Sequence, residues 1–291
     1  MQLSSILRDQ YEPQKLRGKA AQTRTNYRST LKMFALHLGR EPLTGDLTDE
    51  TVAAFLSWYE QREGVTSARS VNNRRDYLLC LWRWCNRKRL VDTYPEIDKL
   101  PVPAPDPRAW TIGELKKILD ACDQQMQVGR IPGWLWWSAV HLFWWDSGER
   151  MGATLAARWS DYQPDSGMLF IPGESRKANK PATYTLKAAT KARLYLMRLL
   201  DPDGEQIFHW PLNVATFYNR YEKLLKSAGL PSGRKDKAQK MRRSFASHLE
   251  AAGGNATEAL QHTARNITQD SYLDQRIIQR PPPNLLLPEV G

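Results

Sequence analysis

Hydrophobic residues return along this chain mostly at three- and four-residue intervals, the spacing of helices that bury one face. From Thr23, the residues Tyr27, Leu31, Phe34 and Leu38 form such a stripe, Gly39 ends it, and Arg24, Arg28 and Lys32 share the opposite side. Thr48 caps a second helix with Val52, Phe55, Leu56 and Tyr59 as its stripe and Gly64 as its stop. A third runs from Ser67 through Asn72, Arg74, Arg75, Leu78 and Leu81 to Trp84, with the basic run 86–89 at its end. Trp82 and Trp84 are expected to pack in a core rather than stack on bases. Residues 1–20 are polar and hold Pro13 and Gly18, which predicts a loose or weakly helical lead-in.

Prolines at 101, 103, 105 and 107 forbid helix and favour an extended, stiff spacer. They predict a helical domain over 1–100, a linker over 101–109 and a second domain over 110–291. Thr111 with Glu114 has capping-box spacing, and Leu115, Ile118, Leu119 and Cys122 supply the face of the helix that follows. Residues 134–146 are apolar nearly all round and predict a buried helix rich in tryptophan. Residues 168–172 and 183–186 read as two short strands around a basic hairpin, 173–181. Helices follow over 188–200 and 214–227. The fold class is mainly α with a small β-sheet.

Composition narrows the class of partner. The chain has 291 residues, 25% of them charged, a formal net charge of +11 and a pI near 9.6. Such a balance favours a polyanion, because each neutralised phosphate releases counterions; the plainer alternative is a merely basic soluble protein. No apolar run reaches membrane-spanning length, and the N-terminus lacks signal-peptide architecture. The expectation is a cytoplasmic protein, with nucleic acid the leading class of partner. Cys80, Cys85 and Cys122 form no CxxC pair and read as reduced thiols.

The most informative stretch runs from Met241 to Tyr272. Met241, Phe245, His248 and Leu249 form one apolar face, and Arg242 lies off it near the helix start, free to point into a cleft. Gly253-Gly254 stops that helix, and Asn255 with Glu258 caps a short second one. His262 follows, and Tyr272 lies on a third. Singly, Arg242 reads as a surface arginine, His248 as a packed core histidine and Tyr272 as a half-buried tyrosine.

Together these residues resemble the C-terminal signature of the tyrosine recombinase (phage integrase) family: an arginine opening a helix, a leucine-glycine-histidine turn, then a tyrosine. Gln261 stands at the glycine of that turn. Upstream, Ser147-Gly148-Glu149-Arg150 running to Trp159-Ser160-Asp161 is similar to the family's first arginine box. Ala153 there replaces the usual buttressing glutamate. The hairpin resembles the one on which the family carries a lysine. Lys177 fits best, with Arg176 and Lys180 as competing choices.

The resemblance implies an N-terminal helical core-binding domain and a C-terminal α+β catalytic domain that form a clamp around DNA. It implies Tyr272 as nucleophile, Arg150 and Arg242 as phosphate-holding cations, Lys177 as general acid, and His262 as a phosphate-binding or positioning group. Gln239 lies three residues before the second arginine, where the family has a histidine or lysine able to take the tyrosine proton; glutamine does not titrate near neutral pH. Lys237 and Lys240 are the possible stand-ins. Arg24, Arg28, Arg69, Asn72 and Arg74, with Arg176, Lys180 and Arg234, are candidate DNA contacts, against the plainer reading of a solvated basic surface.

The implied function is a site-specific recombinase or integrase working through a 3′-phosphotyrosyl intermediate, independent of metal and with no cofactor. Two alternatives stay open: a catalytically impaired DNA-binding relative, for which Gln239, Ala153 and Gln261 speak, and a type IB topoisomerase-like relaxing enzyme. The implied partners are double-stranded DNA and further copies of the chain, monomeric in solution and tetrameric on paired sites through the tail after Tyr272.

Overall fold

The computed structural model describes residues 1–64, 67–177 and 179–278. The chain divides into two compact units at Pro103/Ala104. Among the described residues no helix is long and apolar enough to cross a membrane.

The first unit is all helical. It opens with α1 (Leu3–Ile6), a π-helical turn (Leu7–Tyr11) and α2 (Glu12–Lys15), followed by α3 (Ala21–Leu38), α4 (Asp49–Glu60) and α5 (Ala68–Arg87). The side chains of Thr48 and Ser67 accept hydrogen bonds from the amides of Thr51 and Ser70, satisfying donors that a helix start leaves unpaired. Phe34, Phe55, Trp82 and Trp84 are fully buried where α3, α4 and α5 meet. The lead-in is a correction to the expectation: it is ordered helix, with Leu3, Ile6, Leu7, Tyr11 and Leu16 buried in the same core. Its stripe is short and diluted by polar residues, and Pro13 directly follows the π-helical turn, the kind of helix irregularity that accompanies a proline's missing N–H.

The second unit is built on α7 (Gly133–Ser147), preceded by α6 (Ile112–Asp120) and followed by α8 (Met151–Ala156). Trp136, Trp137, Phe143 and Trp144 are fully buried on α7, which packs against α9 (Ala188–Leu200) and α11 (Ala238–Ala251), while Trp134 at its start stays partly exposed. A three-stranded antiparallel sheet, β1 (Tyr162–Gln163), β2 (Met168–Ile171) and β3 (Ala182–Thr185), lies in that order. Pairing of Ile171 with Ala182 closes the β2–β3 hairpin. Alternation along β2 buries Leu169 and Ile171, as one covered face requires. Helices α10 (Val214–Ser227), α12 (Ala256–Ala259) and α13 (Arg265–Tyr272) complete the unit.

The proline-rich stretch 101–109 contains no helix or strand, and its far end is fastened. The Ala109 amide donates to Asp274 Oδ2 at 2.8 Å, and the Trp110 amide donates to Ser244 Oγ on α11 at 2.7 Å. The proline-rich and leucine-rich tail beyond Ile278 lies outside the described residues.

Candidate active site

Arg242 sits in the first half of α11. The amphipathic reading placed it off the buried stripe, but it is 1% exposed. Its Nη1 donates to the Gly148 carbonyl at 2.6 Å and its Nη2 to the Leu260 carbonyl at 3.1 Å. These acceptors lie 94 and 18 positions away in sequence, outside α11, so the helical pattern of α11 alone does not reveal them. Its Nε is buried and has no partner among the described residues. The carbonyl of Gly148 is presented by a left-handed turn at the end of α7 (φ +60°), where a β-carbon would also lie 2.3 Å from the Phe245 ring.

The His262 ring stands against Arg242 and Tyr272. Arg242 Nη2 lies 3.3 Å from His262 Nε2, and the guanidinium only donates, so Nε2 is the acceptor. The proton is then on Nδ1, which donates to Thr268 Oγ1 at 2.9 Å. Burial first, then the charges of Arg242 and Arg150, push the His262 pKa down to about 4, so the ring is neutral at pH 7.

Tyr272 ends α13, 8% exposed, with its ring centroid 4.5 Å from that of His262. The exposed Gln239 on α11 donates from Nε2 to the Tyr272 hydroxyl at 3.0 Å. Burial raises the phenol's pKa, but the charges of Arg242 and Arg150 and the hydrogen bond from Gln239 outweigh it. The net direction is down. Ser247 on α11 donates to the Tyr272 carbonyl at 3.1 Å and accepts from the Asp274 amide at 2.9 Å, which fixes the end of α13.

Arg150 caps α8 half-exposed, and its guanidinium has no hydrogen-bond partner among the described residues. Tyr272, Arg242, His262 and Gln239 thus converge, with Arg150 close enough to shift the titration of three of them. Lys177 is exposed on the β2–β3 hairpin and, among the described residues, makes no hydrogen bond to any of them. Neither possible stand-in for a base faces the phenol: Lys237 pairs with Glu222 at 3.0 Å, and Lys240 pairs with Asp236 at 3.1 Å over the Trp110 ring.

Glu149 is a site residue that sequence reasoning missed. Its carboxylate is 0% exposed and accepts from the Arg150 amide (2.8 Å), Arg176 Nε (2.8 Å) and the Tyr184 hydroxyl (2.5 Å), with Arg242 Nη1 at 4.0 Å. Burial raises its pKa, but the hydrogen bonds and the two guanidiniums more than reverse this and hold it below the ordinary range. The family's buttressing glutamate was sought at position 153; here a carboxylate lies one helical turn earlier, beside Arg150. Its adjacency to that arginine was the available signal.

Among the candidate DNA contacts, Arg69, Lys180 and Arg234 are exposed. Arg24 is half-buried and reaches the Leu16 carbonyl at 3.4 Å. Arg28 is held by both oxygens of Glu12 (2.8 and 2.6 Å), and Arg74 bridges to Thr30 on α3 at 3.0 Å. Two are corrected. Asn72 is buried and exchanges two 2.9 Å hydrogen bonds with the backbone of Leu100. The Arg176 side chain is 1% exposed in its pair with Glu149, out of reach of a duplex.

Residues 6–92 match the family described as phage integrase, N-terminal SAM-like domain. No curated protein matches the chain in sequence. Among solved structures it is similar to a lambda integrase dimer bound to a COC′ core site, with 24% identity over 92% of this chain and 97% of that one and a TM-score of 0.69. A Tn1549 transposon integrase in complex with a circular intermediate DNA is 10% identical over 94% and 95%, with a TM-score of 0.72. A XerH site-specific recombinase in a post-cleavage complex with a palindromic difH substrate is 21% identical over 90% and 79%, with a TM-score of 0.67. Residues 6–92 thus carry a phage integrase N-terminal SAM-like domain, and the chain shares the fold of these integrase and recombinase structures.

Proposed function

We propose that the protein is a DNA-breaking and rejoining recombinase in which Tyr272 attacks a scissile phosphate of double-stranded DNA. The observation that carries this reading is a phenol with a lowered pKa beside two guanidiniums, one with a buried, unpartnered Nε and the other free of hydrogen-bond partners among the described residues. Such an arrangement suits an anion with several oxygens.

The Tyr272 phenol loses its proton to solvent water, its oxygen bonds to phosphorus, the bond to the 5′-oxygen breaks, and a 3′-phosphotyrosyl link retains the phosphodiester energy until another 5′-hydroxyl attacks. Arg242 and Arg150 neutralise charge that builds on the non-bridging oxygens. Lys177 protonates the departing 5′-oxygen. His262, with its proton on Nδ1 and its Nε2 facing Arg242, orients that arginine. Gln239 donates to the phenol and cannot accept its proton as a base would; fixed positive charge lowers the phenol's pKa in place of a titrating neighbour.

That substitution favours a second reading, a DNA-binding relative with impaired cleavage. The two separate in one experiment. Duplexes selected by the protein from a randomised pool, carrying a nick next to the cleavage position, trap the covalent intermediate. The expected result is a protein–DNA adduct that Tyr272→Phe abolishes while DNA binding persists; binding without any adduct in the wild type overturns the first reading and supports the second.

A further inference from the structure

We propose that Glu149, Arg176 and Gln261 form a latch, buried at the Glu149–Arg176 pair, that holds the Lys177 hairpin against the turn carrying His262, so that the lysine is placed before DNA arrives. The inference rests on the reaction proposed above and assigns positioning roles, not catalytic ones.

The latch is a chain of direct contacts. Glu149 holds Arg176 Nε at 2.8 Å in a pair whose side chains are 0% and 1% exposed. The other guanidinium nitrogens of Arg176 are also engaged: Nη1 donates to the Lys180 carbonyl at 2.7 Å and to Gln261 Oε1 at 2.5 Å, and Nη2 donates to the Tyr184 hydroxyl at 3.3 Å. Gln261 completes the link by donating from Nε2 to the Pro181 carbonyl at 3.0 Å. The hairpin is therefore gripped at Arg176, Lys180 and Pro181, on both sides of Lys177, by groups rooted at Glu149 and in the turn after α12.

Gln261 has φ +52°, a conformation that a glycine adopts without strain and a β-carbon resists. A glutamine kept there needs a compensating role, and both ends of its amide are used. Lys177 is exposed, but its α-carbon is one peptide from the pinned Arg176, which restricts the space its ammonium can search. Ordering the hairpin in the free protein removes an entropy cost from the chemical step.

Gln261→Gly is the informative variant. It deletes both side-chain bonds of the latch, leaves the Glu149–Arg176 pair in place, and relieves rather than strains the backbone. Hydrogen exchange in the free protein should show protection across residues 173–182 falling about tenfold, the loss of roughly one hydrogen bond, with α7 and α11 unchanged. Cleavage should be compared on two duplexes, one with the natural 5′-bridging oxygen and one with sulfur there, which departs as a thiolate and needs no general acid. The oxygen substrate should slow by about tenfold and the sulfur substrate by less than about twofold, the pattern expected of Lys177→Ala. Unchanged exchange overturns the latch, and equal slowing of both substrates overturns its action through Lys177. A wild-type protein that cleaves neither substrate refutes the proposed reaction, and with it the positioning role, while the exchange result still decides whether the latch orders the hairpin.

Discussion

Removing the Glu149 side chain tests the interior electrostatics of the second unit. Glu149→Ala strands the Arg176 guanidinium where side-chain exposure is 1% and, among the described residues, no other carboxylate is paired with it. It also strips an acceptor from the Arg150 amide and the Tyr184 hydroxyl. Breaking a buried pair by deleting one partner costs about 3–5 kcal/mol, more than a surface pair by severalfold. A unit of this size loses about 2–4 °C of melting temperature per kcal/mol, so the substitution should lower the melting of the second unit by about 6–20 °C in scanning calorimetry. The double change Glu149→Leu with Arg176→Met should recover at least about 2 kcal/mol relative to the sum of the single effects, because the penalty is the uncompensated charge. A fall of less than about 3 °C for Glu149→Ala, or additivity in the cycle, would refute the reasoning.

Gly148→Ala forces a β-carbon into a left-handed residue and to 2.3 Å from the Phe245 ring. The backbone term is about 1–2 kcal/mol and overpacking adds about 1–3, read as a shift of the denaturation midpoint; a loss below about 1 kcal/mol would mean the turn re-forms elsewhere. Acid should begin to weaken the fold at about pH 6.5, where histidines titrate. His141 is fully buried and, by burial, its pKa is lowered to about 4, and that of His262 to about 4 as well. Both bind protons more readily unfolded than folded, so stability is fully present above about pH 6.5 and falls as the pH drops from there to about 4. For His141 the loss is on the order of 3 kcal/mol. Chemical denaturation of His141→Phe should show a shallower decline over that range, and an unaltered slope would refute the assignment.

Periodicity made the frame of both units legible, because α3, α4, α5, α7, α9 and α10 each carry a stripe or a wholly apolar surface that only a helix can bury. Caps at Thr48, Ser67, Thr111 and Asn255 mark starts through a side-chain oxygen, which is local chemistry. The lead-in was not legible, since its five buried apolar residues are scattered among polar ones. Nor was the burial of Arg242, Arg176 and Asn72. A polar residue goes inside when distant groups satisfy it, and the partners at Gly148, Glu149 and Leu100 lie 94, 27 and 28 positions away. Gln261 illustrates the same limit: as a departure from glycine it looks like damage, until Arg176 and Pro181 are seen on either side of its amide.

The fastening at Asp274 has a mechanical consequence. Two residues after Tyr272, this carboxylate grips the Ala109 amide and Arg276, while Arg276 reaches back to Asp106 and Pro107. The strand of chain arriving from the first unit and the strand leaving the phenol are knotted at one point. Tension on residues 106–109 is therefore felt at the end of α13 within a few bonds, and slack there loosens the phenol's seat without any change in the residues that surround its oxygen.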